Sequence, residues 1–484
     1  MSASAEHGDM SDGTSTAASG TAPAPSSPTA HPRPAPSAVR PYSFPAFQTR
    51  ILPNGLRVVV APVHAHPVVT VLAVVEAGAT RDPLGKHGLA VMTGRALAEG
   101  TANMSALELA ERVESLGTVL DTGADWDSSI VQLTALTERA GDAFAVLAEV
   151  LRAPSFPAVE MQRLAEERLS DLTQIRAEPR GLADVALNRL LYAATSRFAR
   201  LAGGDERSIP TITRDDIAQF HAEHFTPDAV ALIVVGDCTV DAAVKLATQH
   251  LGDWQGVAPE TPVPDASRRF DDCRIHLVAK PDAQQTELRL GHVAVPRSHP
   301  DYFPLVVMNA ILGGLFSSRL NLNLREKHGY TYGAHSAFDW RRAASPFEVS
   351  SAVQTDKCAD AVREALAEIE LMRQEAVSEE ELSLAVSYLD GVFPIRFETT
   401  AAIAGGLANV EIFRLPSDYF DTYRARVRAV TAEDVLRVAR THLNPGQLQI
   451  VVVGPPEVLQ PGLEALGIGE VTVHQPGDEL GADG

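Results

Sequence analysis

With 484 residues, 45% of them hydrophobic and 21% charged, the chain has the balance of a globular protein and the length for at least two cores, domains typically holding about 100 to 200 residues. Forty-one basic against sixty-two acidic side chains leave a net charge of −21. That sign excludes a general binder of nucleic acid or of an anionic membrane, because phosphates would be repelled over most of the surface.

Residues 1–46 form an Ala/Ser/Pro-rich tail with too little apolar surface to offset the entropy of ordering it. It carries neither a charged n-region nor an apolar h-region, and no uninterrupted apolar run of about 18 residues could span a bilayer. The expected location is cytoplasmic, with no membrane partner. Leu52-Pro53-Asn54-Gly55 supplies a turn, and strands are expected at residues 56–61 and 68–78. Residues 88–97 read as a helix, and Leu107, Ala110, Val113 and Leu116 continue with helical spacing to Gly117. A strand at 129–136, a helix at 140–151 and a long helix from Pro157 to 177, closed by Pro179, come next. A helix at 213–224 and a strand at 229–236 complete a first domain, 47–253. Proline, glycine and charge mark 254–272 as a linker. The second domain, 273–470, starts with strands at 274–279 and 286–295. Helices follow at 302–312, 359–374 and 432–442, then a strand at 447–454 and a tail at 471–484. Cys238, Cys273 and Cys358 are widely spaced, with no C-x-x-C pair, and read as thiols of a reducing compartment.

The two halves resemble each other. Residues 213–236 align without a gap on 431–454, at an offset of 218, with seven identities in 24 positions. The same offset places the strand at Val68 on the strand at Thr286, which points to an internal duplication.

Several motifs carry a wider resemblance. In the first half they are Leu52-Pro53-Asn54-Gly55-Leu56-Arg57-Val58, Gly78-Ala79-Thr80-Arg81-Asp82, Gly88-Leu89-Ala90 and Gly100-Thr101. In the second half, Gly313-Gly314-Leu315-Phe316-Ser317-Ser318-Arg319-Leu320 leads to Leu324-Arg325-Glu326-Lys327-His328-Gly329-Tyr330-Thr331-Tyr332. With these, the chain resembles the pitrilysin (insulinase-like, inverzincin) family of zinc metallopeptidases. The resemblance implies an α+β fold of two homologous domains, each a mainly antiparallel sheet covered by helices, together forming half of a clamshell around an unfolded peptide.

Active members of that family carry H-x-x-E-H on the first helix. Histidines at i and i+4 share one helical face and reach a single zinc, and the glutamate polarises the metal-bound water. Zinc lowers the pKa of that water and polarises the scissile carbonyl. Here the three positions are Val91, Gly94 and Arg95. Valine has no donor atom, glycine no side chain, and arginine is a fixed cation that repels a metal ion. The family's downstream glutamate ligand falls at Asp171, which reads as a solvated helix residue. His87 completes no motif. His221-Ala222-Glu223-His224 has its histidines at i and i+3 with the glutamate misplaced, a pattern of packing or of a helix end. No metal is expected on this chain.

The second half keeps other equipment. In the family an arginine and a tyrosine seven residues later bind substrate near the scissile bond, and Arg325 and Tyr332 match them. A guanidinium and a phenol both donate hydrogen bonds to a peptide carbonyl or to the oxyanion of a tetrahedral intermediate. Gly313 and Gly314 admit two readings, close approach to a bound peptide or the end of the preceding helix. In two-subunit bacterial members one chain carries the zinc and the other the arginine-tyrosine pair. The resemblance therefore implies a non-catalytic, substrate-binding subunit whose partners are a zinc-bearing peptidase subunit and a peptide. The alternative is a core-like assembly subunit of a larger complex with no peptidase role.

Overall fold

The computed structural model of the chain describes residues 41–260 and 264–476. Its framework is two six-stranded sheets. The first holds β1 (Gln48–Ile51), β2 (Arg57–Pro62), β3 (Val68–Val75), β4 (Asp121–Ala124), β5 (Ser129–Leu136) and β6 (Val230–Gly236), in the order β1-β2-β6-β3-β5-β4. The second holds β7 (Arg274–Ala279), β8 (Thr286–Val293), β9 (Thr331–Phe338), β10 (Pro346–Val353), β11 (Gln449–Gly454) and β12 (Glu470–His474), in the order β12-β7-β11-β8-β10-β9. Helices cover the sheets, so the expected α+β class holds. Both sheets are mixed, with antiparallel neighbours except for β2–β6, β7–β11 and β7–β12. The innermost strands are the most apolar. All of β6 (VALIVVG) and of β11 (QIVVVG) is buried, and each large aliphatic side chain so placed stabilises the fold by about 1.5–3 kcal/mol.

From the second strand of each order onward the sheets repeat one design, while the first edge strands differ, β1 antiparallel to β2 and β12 parallel to β7. The offset of 218 maps β3 onto β8, and the helix Arg214–His224 onto Ala432–His442, residue for residue. Both helices begin with the same reciprocal capping box, Thr213 with Asp216 and Thr431 with Asp434. The halves also exchange helices. Pro179–Leu191, from the first half, packs on β8 and β11, while Thr400–Ile412, from the second, packs on β3 and β6. Across the same boundary Arg342 and Arg414 bond Glu76 at the end of β3, and Arg57 pairs with Glu411.

Several boundaries differ from the sequence reading. Pro179 does close the long helix Ala158–Ala177, but it also opens the next one. Glu178 is extended, as a residue before proline prefers, and the proline takes the first helical position, where its missing N–H is not needed. Tyr42 and Phe44, placed in the tail by composition, are packed: Phe44 is 6% exposed, stacked 4.0 Å from Phe420 and edge-on to Phe397. The expected tail from 471 starts inside β12, which extends the second sheet parallel to β7. Residues 1–40, 261–263 and 477–484 lie outside the described residues. One helical stretch, Tyr302–Lys327, is long and apolar enough by composition to cross a membrane, although Asn309, Ser317, Ser318 and Arg319 interrupt its apolar run. Most of it is buried inside the protein, and that burial accounts for its apolarity.

Candidate functional site

Helix α1 (Leu89–Ala96) carries the positions of interest and is fixed at its start by one carboxylate. Asp82 accepts from the N–H groups of Gly88 (2.7 Å) and Ala90 (2.8 Å) and from Arg197 Nη2 (2.7 Å). An anion is favoured there by the unpaired amides and positive end of the helix. Burial raises the Asp82 pKa, against the pull of Arg197 and the two amides. Gly88 has φ +99°, and a Cβ on it would lie 2.9 Å from the backbone of Gly203, so only glycine serves. His87 next to it is held neutral to about 4, by burial first and then by Arg197 and Arg200.

The three positions of the metal motif do not form a metal site. Val91 is half-buried. Gly94 is pressed onto β4, where an added Cβ would lie 2.7 Å from the Gly123 carbonyl carbon and 3.0 Å from Ala124 N. Arg95 Nη1 lies 3.6 Å from Asp171 Oδ2, with Arg168 4.0 Å from the same oxygen. The fold thus brings together two of the aligned ligand positions, Arg95 and Asp171, as an ion pair. Asp171 is no mere solvated residue, although both side chains stay over a third exposed (39% and 46%). Two guanidiniums around one carboxylate already neutralise it and offer a divalent cation no imidazole, so these residues do not fit zinc.

The second half repeats this joint. Gly313 packs against β9, where a Cβ would come within 2.4 Å of Ser336 N, and Asn309 bonds Ser336 through both backbone and side chain. Leu315, just after Gly314, is extended and ends the helical turn. Gly314 is thus the last residue of its helical turn, and Gly313 is held against β9.

Beyond them the helical turn Leu322–Lys327 carries Arg325, and β9 carries Tyr332. The turn between is closed by backbone bonds, Gly329 N–H to the Arg325 carbonyl (3.0 Å) and Tyr330 N–H to the Leu324 carbonyl (2.9 Å), with Gly329 at φ +66°. Arg325 lies 4.6 Å from the ring centre of Phe316, itself 69% exposed. Tyr332 is 88% exposed on the edge strand. Helix end and strand start thus form one unit presenting a cation, a phenol and an apolar ring to the outside.

His221 and His224 are structural. His221 bonds the Leu151 carbonyl (2.9 Å) and stacks on Phe225, and His224 packs on Phe220. Burial pushes both down to about 4. The spacing reading missed one group, His299, Asp301 and His442, whose potential ligand atoms lie within 4.8 Å of one another. Asp301 is already engaged by Arg437 (2.8 Å) and His442 (2.7 Å), which hold its carboxyl near 2. No sequence spacing signals this group, since its members lie on two distant segments.

The geometry defines a duplicated peptidase fold with its metal position closed, and comparison with known proteins agrees. Residues 57–204 match the family described as Insulinase (Peptidase family M16), and residues 211–389 match the Peptidase M16 inactive domain. The chain belongs to the insulinase family. It is 25% identical over 407 residues to an uncharacterized zinc protease of Mycobacterium tuberculosis, covering 84% of this chain and 92% of that one. It is 24% identical over 380 residues to the non-peptidase homolog YmxG of Helicobacter pylori, covering 78% and 86%. Among solved structures, a peptidase M16 inactive domain from Pseudomonas fluorescens superposes with TM-score 0.79 at 27% identity, over 85% of this chain and 98% of that one. A chain of complex III from Candida albicans reaches 0.72 at 13% identity, over 88% and 100%, a likeness of fold alone. Within its family this chain is an inactive homologue, one whose motif positions hold valine, glycine and arginine.

Proposed function

We propose that the chain is the non-catalytic, substrate-binding subunit of a heterodimeric zinc peptidase in the cytoplasm, one that degrades or processes unfolded peptides. Its partner is a family member with an intact H-x-x-E-H motif and its own zinc. Arg325 and Tyr332 reach the partner's site and donate hydrogen bonds to the substrate carbonyl as negative charge develops on it. One contrast carries this reading. The metal position is sealed by Gly94 on β4 and by the Arg95–Asp171 pair, whereas Tyr332 stands 88% exposed and Arg325 lies over an exposed Phe316. A core-like assembly subunit would need neither an exposed phenol nor an arginine over an exposed ring.

The test mixes the purified chain with a zinc-bearing family member and measures hydrolysis of an unfolded peptide. Hydrolysis should require both chains. Tyr332→Phe and Arg325→Ala should each lower kcat of the mixture about 100-fold, the scale of losing one donor to the oxyanion, with the melting temperature unchanged. Unchanged turnover in both variants would refute the proposal.

A further inference from the structure

A cavity of about 660 Å³ opens in the second half, and none of its lining residues belongs to α1 or to the Arg325–Tyr332 unit. Its walls are aromatic, among them Tyr302, Trp340, Phe393, Phe413, Tyr419 and Tyr423. Arg297 sits among these rings, 7% exposed, with its guanidinium carbon 3.3 Å from the Tyr302 ring centre and 5.1 Å from that of Tyr419. Its Nη2 donates to Tyr419 Oη at 2.6 Å.

A buried guanidinium is normally paired with a carboxylate, because an uncompensated charge is costly in a dry interior. This chain follows that rule elsewhere. Among the described residues three other arginines are buried: Arg289 pairs with Asp184, Glu287 and Glu348, Arg341 with Asp339, and Arg424 with Asp390. Arg297 has no such partner among the described residues, only the rings and one phenol. A guanidinium has five N–H donors, and none of the Arg297 nitrogens is both sealed from solvent and unbonded. Its unbonded nitrogens therefore keep some access to solvent, and Arg297 lines the cavity. Of the other charged lining groups, Arg396 is exposed, and Asp125 spends Oδ1 on the amides of Asp127 and Ser128. Tyr419 accepts from Arg297 and also bonds the Tyr302 hydroxyl, and burial keeps its phenol protonated.

We propose that this cavity binds an apolar carboxylate, with an aromatic or branched body among the rings and its carboxylate on Arg297. The volume suits one such ligand, and a charge-assisted bond to a guanidinium inside low-dielectric walls supplies selectivity for the acid. Two sources share this chemistry, a free aromatic acid and the C-terminal residue of a peptide. The inference goes beyond the pairing proposal and stands without it.

The test uses the full chain alone, with Trp340 fluorescence and calorimetry as readouts. The probes are N-acetyl-phenylalanine, its amide, and a tetrapeptide ending in phenylalanine as free acid and as amide. The free acids should bind about tenfold or more tightly than the amides, and Arg297→Met should remove that difference. Binding by the tetrapeptide acid identifies a peptide terminus as the source, and binding by N-acetyl-phenylalanine alone identifies a small acid. Should Arg297→Met fail to fold, Gly405→Leu decides. A Cβ on Gly405, which lines the cavity, meets no atom within 4 Å, so the variant should fold, fill the space and abolish binding. Equal affinity for acid and amide, no binding by any probe at millimolar concentration, or full binding by Gly405→Leu would overturn the proposal.

Discussion

Restoring the lost motif should not restore the site, and Gly94 is the reason. A Cβ at this position meets three backbone atoms of β4, Gly123 C at 2.7 Å and Ala124 N and Gly123 O at 3.0 Å. No rotamer relieves a clash with backbone. Overpacking of this kind costs about 1–3 kcal/mol, and the better helix propensity of glutamate over glycine returns only about 0.5–1 kcal/mol. Gly94→Glu should therefore cost on the order of 1–2 kcal/mol net, unless β4 moves. That strand is the weakest neighbour α1 has, being four residues long and bonded to β5 alone. The expected result of Val91→His/Gly94→Glu/Arg95→His/Asp171→Glu is a chain with a lowered denaturant midpoint, faster hydrogen exchange in residues 121–124 and no stoichiometric zinc after dialysis. The companion Val91→His/Arg95→His, which keeps Gly94, should match the wild-type midpoint, since both positions are half-exposed. One zinc per chain in the fourfold variant at wild-type stability, with chelator-sensitive hydrolysis, would refute this account.

Three further outcomes follow from the same structure. A double-mutant cycle on Arg95→Ala and Asp171→Ala should give a coupling below about 1 kcal/mol, because both partners are over a third exposed; a larger value would mean the pair is a main fastening of α1. Gly313→Ala should cost about 2 kcal/mol in urea unfolding through its clash with Ser336, and a neutral result would show that β9 yields freely. Burial holds His87, His221, His224, His276 and His292 neutral to about 4 against an ordinary 6.5. The unfolded chain takes up these protons near 6.5 and the folded chain only near 4, so the stability they confer is present above 6.5 and lost as pH falls toward 4. The urea midpoint should be clearly lower at pH 5 than at pH 7, and equal midpoints would refute the assignment.

Much of the fold was legible because local patterns and tertiary demands agreed. The helices at 213–224 and 432–442, the apolar runs of β6 and β11 and the shared offset of 218 all survive into the structure. Alignment of Val91, Gly94, Arg95 and Asp171 with the metal positions was read from the motifs that flank them, and the structure places Arg95 and Asp171 3.6 Å apart. Other features left no local trace. β4 is Asp-Thr-Gly-Ala, partly exposed throughout, so it shows neither alternation nor an apolar run. The helices exchanged between the halves, one of them the apolar Thr400–Ile412, carry no local sign of the exchange, because which sheet they cover is decided by topology. Phe44 reads as part of a Pro-rich tail until Phe397 and Phe420 supply its partners. The cavity around Arg297 draws on segments from residue 125 to residue 423, and nothing in any one of them marks it.

The duplication separates what is structural from what is left over. In each half a glycine closes the joint between a helix and an edge strand, Gly94 on β4 and Gly313 on β9. Such a joint is held by packing and persists whether or not chemistry is done beside it, so the bare α1 needs no present function to explain its preserved shape. Tyr332 is the opposite case. At 88% exposure it adds almost nothing to the core of the second half, and phenylalanine or a charged residue would serve an edge strand as well. Arg325 is likewise poorly placed for stability, with a 3.5 Å contact to its neighbour Glu326 and a solvent-exposed ring beneath it. Stability arguments account for Gly94, Gly313 and Asp82 and leave Arg325 and Tyr332 unexplained. It is this remainder, more than any metal ligand, that the pairing proposal uses, and Tyr332→Phe isolates it by removing one hydroxyl while leaving the fold untouched.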